Sequence, residues 1–290
     1  MADPMRDRPR ALTSVVHTPD PPFARPREFA QTAWADIRRS RSLAVEMAKR
    51  DIRSQYRQSL FGAVLVVLPP LAMTAVGMGF RHAGILNVDS LEVPYGLFAF
   101  FGVMLWTTFL DALNAPIYGL LAEQRLLART GSPPEAVILG KLGPVFFNFG
   151  IKTVALAIAI LWYRVSIPAT IVLAPLAFLG LIALGTAVGL FLAPINLIYR
   201  DVSKILIALT TFWFFLSPVY FLPPEGTIGT IMSFNPVTPL LSGTRALALT
   251  GAVADPVHSI LVTIGTFLFL LLCWIYVRVA LPVAIEQANG

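Results

Sequence analysis

The chain has 290 residues, 56% hydrophobic and only 13% charged, with a mean hydropathy of +0.73 and a net charge of +6. A soluble globular domain would need more charge, and uninterrupted apolar runs of more than 18 residues disfavour a β-barrel, whose strands alternate outward apolar with inward polar residues. The expected class is an all-α polytopic membrane protein, its excess of Lys and Arg serving as anchors beside a lipid leaflet rather than as a nucleic-acid surface.

Residues 1–26 carry Pro4, Pro9, Pro19, Pro21, Pro22 and Pro26 among scattered charges. Such a composition buries too little apolar surface to offset the ordering of its backbone, so a flexible cytoplasmic tail is expected. Over residues 27–58 the pattern turns helical: Phe29, Ala30, Ala33, Trp34 and Ile37 recur on one face and Leu43, Met47, Ile52 and Tyr56 on another, between Arg38, Arg39, Arg41, Lys49, Arg50, Arg53 and Arg57. This predicts a basic amphipathic helix lying among lipid headgroups. The first apolar run begins only near Leu60, so no cleavable signal peptide is expected.

Six transmembrane helices are expected within residues 59–282, at 60–80, 94–116, 142–163, 168–194, 204–222 and 257–280, followed by a short C-terminus at 283–290. With both termini cytoplasmic, eighteen of the 22 Lys and Arg lie inside and only Arg81, Arg164 and Arg245 outside, Lys152 falling within a span. That asymmetry supports the orientation. Pro69-Pro70 should kink the first span by removing two backbone donors. Between the second and third spans, residues 118–141 set Glu123, Arg125, Arg129, Glu135 and Lys141 around a Gly131-Ser132-Pro133-Pro134 break, which predicts two short helices with their charges free for a partner. After Arg200, Asp201 is placed to cap the fifth span. Residues 223–256 are too polar and too rich in Pro and Gly to cross a membrane. Their apolar pieces 228–234 and 239–249, joined by Asn235-Pro236, predict two short outer helices suited to closing the mouth of a pathway.

Catalytic chemistry is not evident. His17, His82 and His258 are scattered, the single Cys273 sits in an apolar run, and no Gly-x-x-x-x-Gly-Lys-[Ser/Thr] phosphate loop occurs, so no ATP, metal or other cofactor is expected on this chain. Lys152 is the anomaly. It lies about eleven residues into the third span, roughly 16 Å deep at ~1.5 Å per residue, where a charge is costly and requires a partner. Asp111, with Asn114 in the neighbouring span, is the expected partner, as structural glue, as the wall of a wetted cavity or as a proton-coupling pair. The rings Phe98, Phe101 and Trp106 of the second span, with Phe212, Trp213 and Phe215 of the fifth, exceed what lipid-facing helices require; pathway lining competes there with core packing and interface belts.

One ordered set of residues resembles a known family. Arg50-Asp51-Ile52-Arg53-Ser54-Gln55-Tyr56-Arg57-Gln58-Ser59-Leu60-Phe61-Gly62, then Pro94-Tyr95, Gly102 and Trp106, Pro134-Glu135, Tyr199-Arg200-Asp201-Val202, Ser217-Pro218-Val219-Tyr220, and Asn235-Pro236 with Arg245 are similar to the permease subunit of type-2 ABC exporters for polysaccharides, the group that exports O antigen, capsular polysaccharide and teichoic acid. The resemblance implies a homodimer of this chain in the bacterial inner membrane, two copies of a separate ABC ATPase holding ATP and Mg, and a lipid-linked polysaccharide as substrate. It further implies that Arg125, Arg129, Glu135 and Lys141, with Arg50 and Arg53, dock on the ATPase. Aromatic rings, Tyr220 among them, would contact the polymer, and residues 223–256 with Asn235, Pro236 and Arg245 would gate the exit. Two other readings stay open: an ABC-2 exporter of a drug or small lipid, and a proton-coupled transporter using Asp111 and Lys152.

Overall fold

The computed structural model describes residues 26–57, 61–85, 91–130, 132–224 and 226–289. The expected proline-rich tail up to residue 25, and Gln58, Ser59 and Leu60 of the motif before the first span, lie outside them. The chain divides into two units, Met1–Ala35 and Asp36–Gly290.

The described residues form helices and no strand. In chain order these are α1 Pro26–Arg57, α2 Gly62–His82, α3 Tyr95–Ala122, α4 Gln124–Thr130, α5 Pro134–Tyr163, a 3-10 turn Ala169–Leu173, α6 Ala174–Ile198, α7 Asp201–Phe215, α8 Thr227–Ser233, α9 Val237–Leu249 and α10 Pro256–Asn289. Among the described residues, five stretches are long and apolar enough to cross a membrane: α2, α3, α5, α6 with its preceding 3-10 turn, and α10. The chain is therefore an all-α integral membrane protein.

Several boundaries differ from the sequence expectation. The fifth expected span, 204–222, is helical only as the 15 residues of α7, roughly 22 Å against a hydrocarbon layer of about 30 Å. It stops there because Ser217 precedes Pro218, and a residue before proline is pushed out of the α region. The second short helix expected in the 118–141 connection is the opening of α5, which starts at Pro134, a residue with a preset φ suited to a first turn. The last span continues to Asn289. Helix α2 runs unbroken through Pro69-Pro70, with the Thr74 hydroxyl donating to the Pro70 carbonyl at 2.7 Å.

The core is organised on α3, which is buried on nearly every side between α6, α5 and α2. Helix α6 in turn lies between α3 and α10, and α9 packs on α6 and α10. Close approach of α3 and α6 depends on Gly185 and Gly189. A Cβ at Gly189 would lie 2.1 Å from the Leu113 carbonyl oxygen, and one at Gly185 2.6 Å from that of Phe109. Without a hydrophobic drive between helices in lipid, such backbone proximity is a main source of attraction.

Candidate functional site

The expected gate residues meet at the break after α7. The buried Arg245 guanidinium, carried by α9, donates from Nη2 to the Pro218 carbonyl and from Nη1 to the Val219 carbonyl, both at 3.1 Å. Its centre lies 3.6 Å from the centre of the Phe98 ring. These bonds satisfy backbone acceptors that the broken helix leaves without partners. Gly102 of α3 makes the arrangement possible, since a Cβ there would sit 2.3 Å from the Val219 oxygen. Asn235 completes the junction. Its Oδ1 accepts from Trp213 Nε1 at 2.9 Å and from the Val237 amide at 3.1 Å, while its Nδ2 donates to Ser217 Oγ at 3.0 Å and to the Leu216 carbonyl at 3.2 Å. Pro236 occupies the turn between Asn235 and α9. The Tyr220 hydroxyl donates to the Met73 carbonyl at 2.6 Å, tying the junction to α2.

The aromatic rings divide between packing and open space. Phe98, Phe101, Trp106 and Tyr220 are buried, and Trp106 packs against Phe109, Phe214 and Trp213 at centroid distances of 5.3, 5.6 and 6.4 Å. Phe212 and Phe215 are 70% and 64% exposed on the single chain. Between α2, α3 and α7 a cavity of about 360 Å³ is bounded by Met73, Phe80, Trp106, Thr210, Phe215 and Tyr220.

Midway along α3 the structure brings together Asp111 and Lys152. Lys152 Nζ lies 2.9 Å from Asp111 Oδ2 and donates also to the Thr107 and Thr108 hydroxyls at 3.1 and 3.4 Å. The pair is asymmetric: the lysine side chain is 4% exposed and the aspartate side chain 41%.

At the α4 end, the candidate docking residues fall into two groups. Arg53, Arg125 and Arg129 are exposed. Arg50, Lys141 and Glu135 are engaged within the chain. Arg50 pairs with Glu123 and with Asp51, and Lys141 reaches Asp51 at 2.7 Å and Glu123 at 3.5 Å. The hydrogen bond to Glu123 holds the Arg50 guanidinium above its ordinary value against partial desolvation. Glu135 is buried at the start of α5, accepting from Trp274 Nε1 at 3.1 Å with Arg278 Nε 3.3 Å away; Arg278 also bonds Asp36. Here α1 lies close on α5, where Gly143 leaves no room for a Cβ beside Ala48. Lys141→Met is expected to cost about 1 kcal/mol, a loss that high salt also produces in the wild type. Thermal unfolding of the purified protein at low and high ionic strength checks this; a deficit that persists unchanged in high salt would make the loss one of packing.

Sequence reasoning missed Glu123 and Asp51 as acceptors of this network, and Trp274, Arg278 and Asp36 as the surroundings of Glu135. Arg278 offered a signal, being the one Lys or Arg in the sequence of α10.

A family model described as "ABC-2 type transporter" matches residues 43–249. The chain is also similar to two curated proteins, each named "O-antigen export system permease protein RfbA". With the one from Myxococcus xanthus it shares 23% identity over 212 residues, 71% of this chain and 80% of that protein. With the one from Klebsiella pneumoniae it shares 22% identity over 232 residues, 78% of this chain and 87% of that protein.

Proposed function

This chain belongs to the ABC-2 type transporter family, and on that premise we propose that it is the membrane subunit of an ATP-driven exporter carrying a lipid-linked, O-antigen-like polysaccharide across a bacterial inner membrane. The observation that carries the reading is the similarity to two O-antigen export permeases over 71% and 78% of the chain.

In this reading the chain works as a homodimer with two copies of a separate ATPase, which holds the ATP and Mg that a chain without a phosphate loop does not. The distribution of Lys and Arg supports cytoplasmic termini, a topology in which the short α7 and residues 216–222 after it together make a sixth crossing. The 118–141 connection then faces the ATPase with Arg125 and Arg129 outward, and Arg53 adds to the same basic surface. Arg50, Glu135 and Lys141 support that surface from behind, so that a push on α4 is passed to α3 and α5 as a rigid-body movement. Helix α7 and its exposed Phe212 and Phe215 face the polymer path. Residues 223–256 close its outer mouth, with Asn235 and Arg245 as the fastenings of that closure.

The test begins with a tag on this chain and co-expression of the adjacent ATPase. The double substitution Arg125→Glu/Arg129→Glu is expected to reduce the recovered ATPase about tenfold while leaving the melting temperature of this chain unchanged, because both side chains are exposed. Depletion of this chain should leave lipid-linked glycan inside the cell and none on its surface. Display of the glycan at normal levels without the chain would refute the polysaccharide reading. A wild-type chain that recovers no ATPase would refute the coupling and turn attention to Asp111 and Lys152 as a proton-coupled pair.

A further inference from the structure

The exposed half of the Asp111–Lys152 pair needs an occupant. Asp111 lies five residues before the end of the expected second span, 94–116, roughly 8 Å along the helix at ~1.5 Å per residue, and is the one charged residue of that span. A carboxylate facing hydrocarbon at that depth is costly, and ionisable side chains within spans face a polar cavity or a partner. If the pair served only to join α3 to α5, both members would gain from being enclosed. Instead the cation is enclosed, with one Asp111 oxygen and two threonine hydroxyls around it, and the carboxylate is presented outward.

What it is presented to is polar over several turns. Thr107, Asp111, Asn114 and Tyr118 stand at i, i+4, i+7 and i+11 and so form one stripe along α3. Asp111, Asn114 and Tyr118 line a groove of about 400 Å³ whose opposite wall carries Asn148 and Lys141 of α5, the lysine's charge being balanced by Asp51 and Glu123. The Asn148 Oδ1 accepts from the Tyr56 hydroxyl at 2.8 Å, which leaves its amide hydrogens as donors. Carboxylate, carboxamide and phenol in a row supply acceptors, donors and one ring face. That combination suits a polyhydroxylated ring rather than an acyl chain or a bare anion, because a hydroxyl both donates to a carboxylate and accepts from an amide.

Resting on the polysaccharide reading above, we propose that the α3–α5 groove is a subsite for one glycosyl residue of the transported polymer, bound through its hydroxyls by Asp111, Asn114, Tyr118 and Asn148. Lys152 is the positioning residue that aims the Asp111 carboxylate into the groove.

The test uses the complex of this chain with its ATPase in lipid nanodiscs. The probe is the labelled oligosaccharide released by mild acid from the polysaccharide that the source cell displays, and equilibrium binding gives Kd. Asp111→Asn keeps the shape and removes the charge; it should raise Kd at least about tenfold, as should Asn114→Leu. Lys152→Met should raise it by a similar factor, and Lys152→Arg should recover part of the loss. The double variant Asp111→Asn/Lys152→Met should bind no more weakly than Asp111→Asn alone, the non-additivity of a residue that acts through another.

An unchanged Kd in Asp111→Asn overturns the proposal. So does a wild-type complex that binds no probe at millimolar concentration while cells depend on the chain for surface polysaccharide. Dissociation of Asp111→Asn into single copies, with probe affinity kept, assigns the groove to contact between two chains and also overturns it. Surface polysaccharide that appears without this chain refutes the reading beneath the proposal, and that result is distinct from the other three.

Discussion

Arg245→Ala lowers the unfolding free energy by about 4 kcal/mol, the sum of two buried carbonyls left without donors and a lost stacking cation. The expectation follows from the geometry at the break after α7, where one side chain holds the Pro218 and Val219 oxygens at 3.1 Å and covers the Phe98 ring. Arg245→Lys recovers less than half of the loss, since an ammonium cannot offer a planar fork to two carbonyls while lying flat on a ring. Denaturant unfolding in detergent, followed by tryptophan fluorescence, reports the effect directly because Trp106 and Trp213 pack close to the junction. A loss under about 1 kcal/mol, the net worth of an ordinary exposed hydrogen bond, would mean that the turn holds itself.

Gly189→Val is expected to be as damaging, through packing rather than polarity. A first side-chain carbon there would lie 2.1 Å from the Leu113 oxygen and 2.6 Å from a Pro116 ring carbon, so α6 must move away from α3. These two helices form the centre of the bundle, and the cost of overpacking such a contact is about 3 kcal/mol or more. Gly150→Ala supplies the control. Nothing lies within 4 Å of its new methyl group, and it should be neutral or slightly stabilising, as Ala is the better helix former. The amount of monodisperse protein extracted from membranes, with its melting temperature, separates the two. Equal behaviour of both variants would show that α3 and α6 tolerate separation.

Much of the fold was legible because apolar runs in lipid have few structural solutions. Helices α2, α3, α5 and α10 follow from continuous hydropathy, and the short helices α8 and α9 from Pro and Gly punctuation. The partner of Lys152 was legible for a related reason: a charge within a span needs a counter-charge at matching depth, and Asp111 was in reach. The stop of α7 at Phe215 was less so, because hydropathy continues past it while Ser217-Pro218 acts on backbone torsion. Gly185 and Gly189 are separated by the small-residue spacing that draws helices together, a signal that sequence inspection could have used for α3 against α6. The split of the docking charges was hidden. Arg129 and Glu135 look equally free in a polar stretch, yet one is exposed and the other is enclosed by Trp274 and Arg278, which lie more than a hundred residues away. The rings of α3 were ambiguous for the same reason, since stacking on a sugar and packing in a core require the same side chains.

Helix α7 is fastened at its two ends and seated along one side, where Leu206, Trp213 and Phe214 pack on the core. At one end the Asn196 carboxamide accepts from the Ser203 amide at 3.1 Å, and at the other Asn235 and Arg245 secure the turn. Along its length Ile205, Ile207, Leu209, Phe212 and Phe215 stand exposed. A rod held this way does not roll, because turning it would part Trp213 and Phe214 from Trp106, Phe109 and Tyr220. One ridge of α7 thus serves as a key set into the bundle, with Thr210, Thr211 and Phe215 side by side at the wall of the cavity shared with α2 and α3, while the opposite ridge is left open for a second surface.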